Sequence, residues 1–152
     1  MVVYFSRSKK TEVFAKVLAE IENMPLFELR SELGDISTFR LILKVLSLGL
    51  RGKDSPVFEM PKSLPGKIYV CSPVWAGSFA LPVKYFLQNA DLSGTEVNAL
   101  LTASTPTDKY VNEANRFLHG IPCIPGKTLI FATSMKSMPE DDVVREHIKE
   151  LL

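Results

Sequence analysis

Two rhythms of apolar and polar positions alternate along this chain. Val2-Val3-Tyr4-Phe5 is a continuous apolar run, the pattern of a strand covered on both faces. Val13, Phe14, Val17, Leu18 and Ile21 then recur at spacings of three and four, which predicts a helix over about residues 11–22 with one buried face. The alternation continues to the end of the chain. Short strands are expected at 26–29 after Pro25, at 67–71, at 97–101 and at 128–133, with a brief extended piece at 121–125. Helices are expected at 82–89, at 108–118 and after Pro139, which suits a first helical position and is followed by Glu140, Asp141 and Asp142. Residues 39–50 are strongly apolar, with Arg40, Lys44, Ser47 and Arg51 at three- and four-residue intervals. That spacing predicts an amphipathic helix with a narrow basic stripe, ended by Gly49 and Gly52. Residues 53–67 read as a loop rich in proline.

Strands alternating with helices imply a parallel sheet with right-handed crossovers. Such sheets bind ligands beyond the carboxyl ends of their strands, at the point where strand order reverses. Ser6-Arg7-Ser8-Lys9-Lys10-Thr11 follows the first strand directly. Its hydroxyls and the backbone N–H groups of the helix start are suited to cradling a phosphate. The spacing is not that of a Walker A loop, and with no glycine before Gly34 it is not the dinucleotide fingerprint. A plain helix cap is the competing reading of the same residues.

A second segment narrows the choice. The strand at 67–71 runs into Ser72-Pro73-Val74-Trp75-Ala76-Gly77-Ser78, followed by a helix start bearing Pro82. With Ser-Arg-Ser-x-x-Thr after the first strand, this pairing resembles the flavodoxin-like FMN-binding family. The resemblance implies a doubly wound, five-stranded parallel sheet of order 2-1-3-4-5 with helices on both faces, and FMN as cofactor. It implies that Ser6, Arg7, Ser8, Lys9, Lys10 and Thr11 hold the phosphate. Pro73, Val74, Trp75, Ala76 and Gly77 would face the isoalloxazine, with Trp75, expected in a loop, stacking on it. Small residues at Ala76 and Gly77 would let the backbone approach the ring edge. Thr102, Ala103, Ser104 and Thr105 occupy the place of the family's third flavin-contacting loop. Two departures stand out: Lys9-Lys10 where the family has glycine and then a small polar residue, and a third loop without glycine.

Composition adds limits. With 152 residues, 46% of them apolar, one domain over 1–152 is expected. No apolar stretch reaches the roughly 20 residues needed to span a bilayer, and Met1 leads straight into a strand rather than a signal segment. Two cysteines, Cys71 and Cys123, make no disulfide framework, and a cytoplasmic location is the default expectation. A net charge of +1 argues against a nucleic-acid partner and against the acidic surface usual in the family's soluble carriers. His119 and Cys123 lack metal-ligand spacing, His147 is isolated, and no catalytic triad or carboxylate pair is evident, so the flavin would carry any chemistry. The leading expectation is an FMN-binding electron-transfer protein whose partner is a redox protein or a small-molecule electron acceptor. An FMN-dependent reductase or dehydrogenase acting on quinones or a porphyrin precursor is the second reading. A flavodoxin-fold interaction module that has lost its cofactor is the third. The basic stripe over 39–53 would suit peripheral membrane contact.

Overall fold

Val2–Tyr4 forms β1, and all three residues are buried because the strand is hydrogen-bonded on both sides. The computed structural model describes residues 1–31, 59–133, 137–138 and 140–151. The expected helix at 39–50, the membrane-surface reading of 39–53, the first part of the 53–67 loop and the position of Pro139 lie outside these residues.

The elements in chain order are β1, α1 (Lys10–Ile21), β2 (Leu26–Glu28), β3 (Lys67–Trp75), β4 (Ser78–Phe79), α2 (Leu81–Asn89), β5 (Glu96–Ala103), α3 (Asp108–His119), β6 (Ile124–Ala132) and α4 (Asp141–Leu151). The sheet order is β2-β1-β3-β5-β6, all parallel, with β4 paired antiparallel to the end of β3. This is the expected 2-1-3-4-5 order with one addition: the described residues form six strands rather than five. The extra strand exists because β3 runs past Cys71 to Trp75 and turns back on itself. Pro73 is tolerated inside β3 because of its register. Tyr69 N–H and Cys71 C=O face β1, in bonds to Met1 and Phe5, so by alternation the missing N–H of Pro73 also faces that side, beyond the last β1–β3 pair at Tyr4 and Cys71.

Period-two alternation sorts each strand between two cores. Val3, Phe5, Ile68, Val70, Val97, Ala99 and Leu101 face α2 and α3, where Val83, Phe86, Leu87, Ala114 and Leu118 cover them. Val2, Tyr4, Tyr69, Cys71 and Leu100 face α1 and α4, against Phe14, Leu18, Val144 and Ile148. Burial on both faces explains why the central strands read as unbroken apolar runs. At full burial, cutting Phe86 to alanine costs about 3–5 kcal/mol.

The last strand departs from expectation. Residues 121–125 and 128–133 were expected as separate pieces, yet Ile124–Ala132 is one strand with a register shift opposite Val97 and Ala99. Asn98 fills the irregularity: its Oδ1 accepts the Lys127 N–H at 2.8 Å. A Cβ on Gly126 would lie 2.4 Å from that oxygen, so only glycine lets the amide in. Among the described residues, no helix is long and apolar enough to cross a membrane.

Candidate functional site

Parallel pairing of β1, β3 and β5 brings three chain segments together at the carboxyl end of the sheet. The first is the turn after β1. Phe5 still donates its N–H to Cys71 C=O at 3.1 Å, and Ser6 is the first residue free of the sheet. Ser6 Oγ is buried and has no hydrogen-bond partner among the described residues. A buried hydroxyl without a partner is costly in a finished structure and marks a place for a missing acceptor. Ser8 and Lys9 are exposed, and Arg7 and Lys10 are half-buried.

The N-cap of α1 is Lys9, in the left-handed region at φ 64, and no side chain caps the helix. The plain-cap reading of the Ser/Thr-rich turn is therefore not what the structure adopts. With no side-chain cap, the helix start presents the positive end of its dipole to the turn. Lys9 takes the positive φ that glycine would take at lower cost. Its ammonium lies 3.1 Å from Glu12, whose other oxygen is 2.7 Å from Lys16. Hydrogen bonding to Lys16 holds the Glu12 carboxyl below its ordinary range, with Lys9 adding to the effect. Lys9 thus neutralises a carboxylate beside the turn rather than pointing a spare charge into it.

The second segment is a hairpin. Trp75 ends β3 rather than lying in a loop, and Ala76-Gly77 is the two-residue turn to β4, with φ 49 and φ 84. Two positive φ values in succession define a type I′ turn, matched to the twist of the flanking strands. Trp75 is half-buried, and its ring meets Phe5 edge-on, with centroids 5.3 Å apart and planes at 86°. Ser72, which sequence reasoning left unassigned, sets the hairpin's return. Its Oγ accepts the Ala80 N–H at 2.9 Å and donates to Pro73 C=O at 2.9 Å.

The third segment is shorter than expected. Thr102 and Ala103 belong to β5, and only Ser104 and Thr105, both exposed, lie in the loop. Thr102 is buried, sits beside Pro73 in register, and its Oγ1 lies 2.8 Å from Thr11 Oγ1. Two ties therefore join the segments: Phe5 to Trp75, and Thr11 to Thr102. Cys71 is fully buried, and burial pushes its thiol pKa far up, which suits packing and not nucleophilic chemistry. A separate cavity of about 300 Å³ lined by Lys67, Tyr69, Glu96, Asn98 and Gly126 opens at the starts of β3 and β5, the opposite end of the sheet.

No protein-family model matches the chain, and no curated protein does so. Solved structures do. A protein from Bacteroides uniformis, described provisionally as a flavoprotein, is 20% identical with a TM-score of 0.72, over 98% of this chain and 96% of that one. A flavoprotein from Lactobacillus acidophilus in complex with FMN is 25% identical with a TM-score of 0.60, over 84% of this chain and 90% of that one. The two-electron reduced flavodoxin of Megasphaera elsdenii is 14% identical with a TM-score of 0.53, over 99% of both chains. The fold is flavodoxin-like.

Proposed function

We propose that this flavodoxin-like chain binds FMN where the three segments meet and serves electron transfer. The observation that carries this reading is the unpartnered, buried Ser6 hydroxyl beside an uncapped helix start. The Ser6 hydroxyl lacks an acceptor and the helix start lacks a side-chain cap, and a phosphate answers both. The phosphate would take the Ser6 and Ser8 hydroxyls, the N–H groups of residues 7–11 and the helix dipole. Thr11 and Thr102 hold two hydroxyl hydrogens between them; one is spent on their mutual bond, and the other is left for an anion. Arg7 and Lys10 add positive charge to the turn, which favours a dianion.

Trp75, braced by Phe5, supplies a flat apolar surface at the hairpin, and Ala76 and Gly77 keep the turn small enough for close approach. Pro73 and Val74 would form the strand side of the same surface, and Ala103, Ser104 and Thr105 the far rim. When bound, the flavin would supply reversible one- and two-electron chemistry, and the protein would orient it and shield one edge from water. The Lactobacillus complex, at 25% identity, supports FMN over other flavins. Two cysteines outside any disulfide fit a cytoplasmic location.

The test is a visible spectrum of the purified protein, followed by FMN titration of the stripped form. Flavin absorption bands and saturable FMN binding are expected. A colourless protein that ignores FMN overturns the reading and leaves the interaction module in its place.

A further inference from the structure

Beside the proposed flavin site, and sharing its hairpin turn, a groove of about 470 Å³ lies between that turn, α2 and α3. Its walls are Ala76, Gly77 and Ser78 on one side, with Lys84 from α2 and Lys109, Glu113, Arg116 and Phe117 from α3. The charge balance is three cations to one carboxylate. Glu113 is committed to Arg116 at 2.5 Å. Lys84 and Lys109 make no ion pair among the described residues.

Lys84 is unusual for a surface lysine. It is half-buried, and its Nζ lies 5.8 Å from the centre of the Phe117 ring, which is itself fixed edge-on against Phe79. Burial lowers the pKa of this ammonium, and Glu113 offsets the effect in part. A cation held on an aromatic face and partly stripped of water gains more from an arriving anion than a solvated lysine does.

We propose that this groove is a second anion site, one that takes a small diphosphate-bearing molecule between Lys84 and Lys109. The shape argues for a small ligand, because Lys84 lines a shallow groove of limited volume. Charge argues for more than one phosphate: Lys84 from α2 and Lys109 from α3 are two groove cations without an ion pair among the described residues, and a diphosphate carries enough negative charge to engage both. The site stands on the groove alone and does not depend on FMN. Its shared wall, the turn at Ala76 and Gly77, would set a bound diphosphate against the outer side of the proposed flavin hairpin.

Calorimetric titration with inorganic pyrophosphate tests this, on protein saturated with FMN so that the turn after β1 is filled. Saturable binding that outcompetes orthophosphate is expected. Lys84→Met, which keeps the stem over Phe117, combined with Lys109→Gln, is expected to weaken it at least tenfold. Lys62→Gln, an exposed lysine outside the groove, should leave it unchanged. Binding lost in Ser6→Ala but retained in the double variant would put pyrophosphate in the β1 turn and overturn the proposal. Absence of binding at millimolar pyrophosphate would also overturn it. Should the protein fail to take up FMN yet bind pyrophosphate through Lys84, the flavin reading falls and the groove stands.

Discussion

Thr11 and Thr102, 91 positions apart in sequence, share a buried hydrogen bond of 2.8 Å between their hydroxyls. The bond ties the first turn of α1 to the end of β5, so two of the three segments at the candidate site move as one. Replacing either threonine with valine leaves the other hydroxyl buried without its partner, at a cost of about 1–3 kcal/mol. The double valine variant leaves neither, and its loss should fall well below the sum of the two. Urea unfolding of the four proteins gives the coupling. Strict additivity would mean that the hydroxyls do not interact.

Ser6 offers a sharper separation of folding from binding. Its Oγ is buried and unpartnered without ligand, so Ser6→Ala should leave the stability of the stripped protein unchanged or raise it slightly. A hydrogen bond to a charged phosphate is worth about 1.5–3 kcal/mol, so FMN affinity should drop about tenfold or more. Thermal unfolding and FMN titration on the same variant give both readings. A destabilised apoprotein with unaltered FMN affinity would assign Ser6 to the fold alone.

Lys9 stands where glycine is conformationally cheaper. At φ 64 it bears a strain of about 1–2 kcal/mol that Lys9→Gly removes. The variant also removes, at a cost of about 1 kcal/mol, one partner of Glu12, whose side chain is largely buried and which keeps Lys16 at 2.7 Å. A net gain of up to about 1 kcal/mol is expected in chemical denaturation. A loss would show that the Lys9–Glu12 pair outweighs the strain.

Much of this could be read from the sequence, because the central strands are apolar on both faces and the helices on one. The same patterning marks where the β1 and β3 runs stop, and so places the turn after β1 and the segment after β3 at one end of the sheet. The sixth strand was not legible. Pro73 reads as a breaker, and only its register beyond the last β1 pair makes it harmless. The single long β6 was hidden because Pro125 and Gly126 look like a turn, while Gly126 in fact makes room for Asn98 across the register shift. Ser72 opens the segment that carries the resemblance, but its bond to the Ala80 N–H was not legible, since that depends on where Ala80 returns in space.

Alkaline stability should depend on Tyr4. Burial, aided by Glu28 and Glu12, pushes its phenol from the ordinary 10.0 up to about 12. The unfolded chain ionises first, so the contribution is complete below pH 10 and is lost as pH rises from 10 to 12. Tyr69 and Cys71 shift in the same direction, so Tyr4→Phe should shallow the alkaline limb rather than abolish it. Unfolding free energy measured from pH 8 to 12 checks this. An unchanged slope would mean that Tyr4 ionises alike in both states.

The hairpin turn can be tuned in both directions. Type I′ geometry asks for positive φ at both central residues, and asparagine followed by glycine is its favoured pair. Here the first position is Ala76, at φ 49, which an L side chain with a Cβ adopts at a cost. Ala76→Asn should therefore stabilise the fold by a few tenths to about 1 kcal/mol. Gly77→Ala should destabilise it by about 1–2 kcal/mol, the cost of a left-handed L residue. The loss is conformational and not steric, because the added Cβ would meet only the Tyr110 ring at 3.9 Å, an ordinary contact. On the reading that this turn lies along the flavin edge, Gly77→Ala should also shift the one-electron potentials of the FMN-loaded protein, because the peptide there would be the group facing the ring. A shift in stability with potentials unchanged would keep the turn as a structural hairpin and remove it from the flavin site.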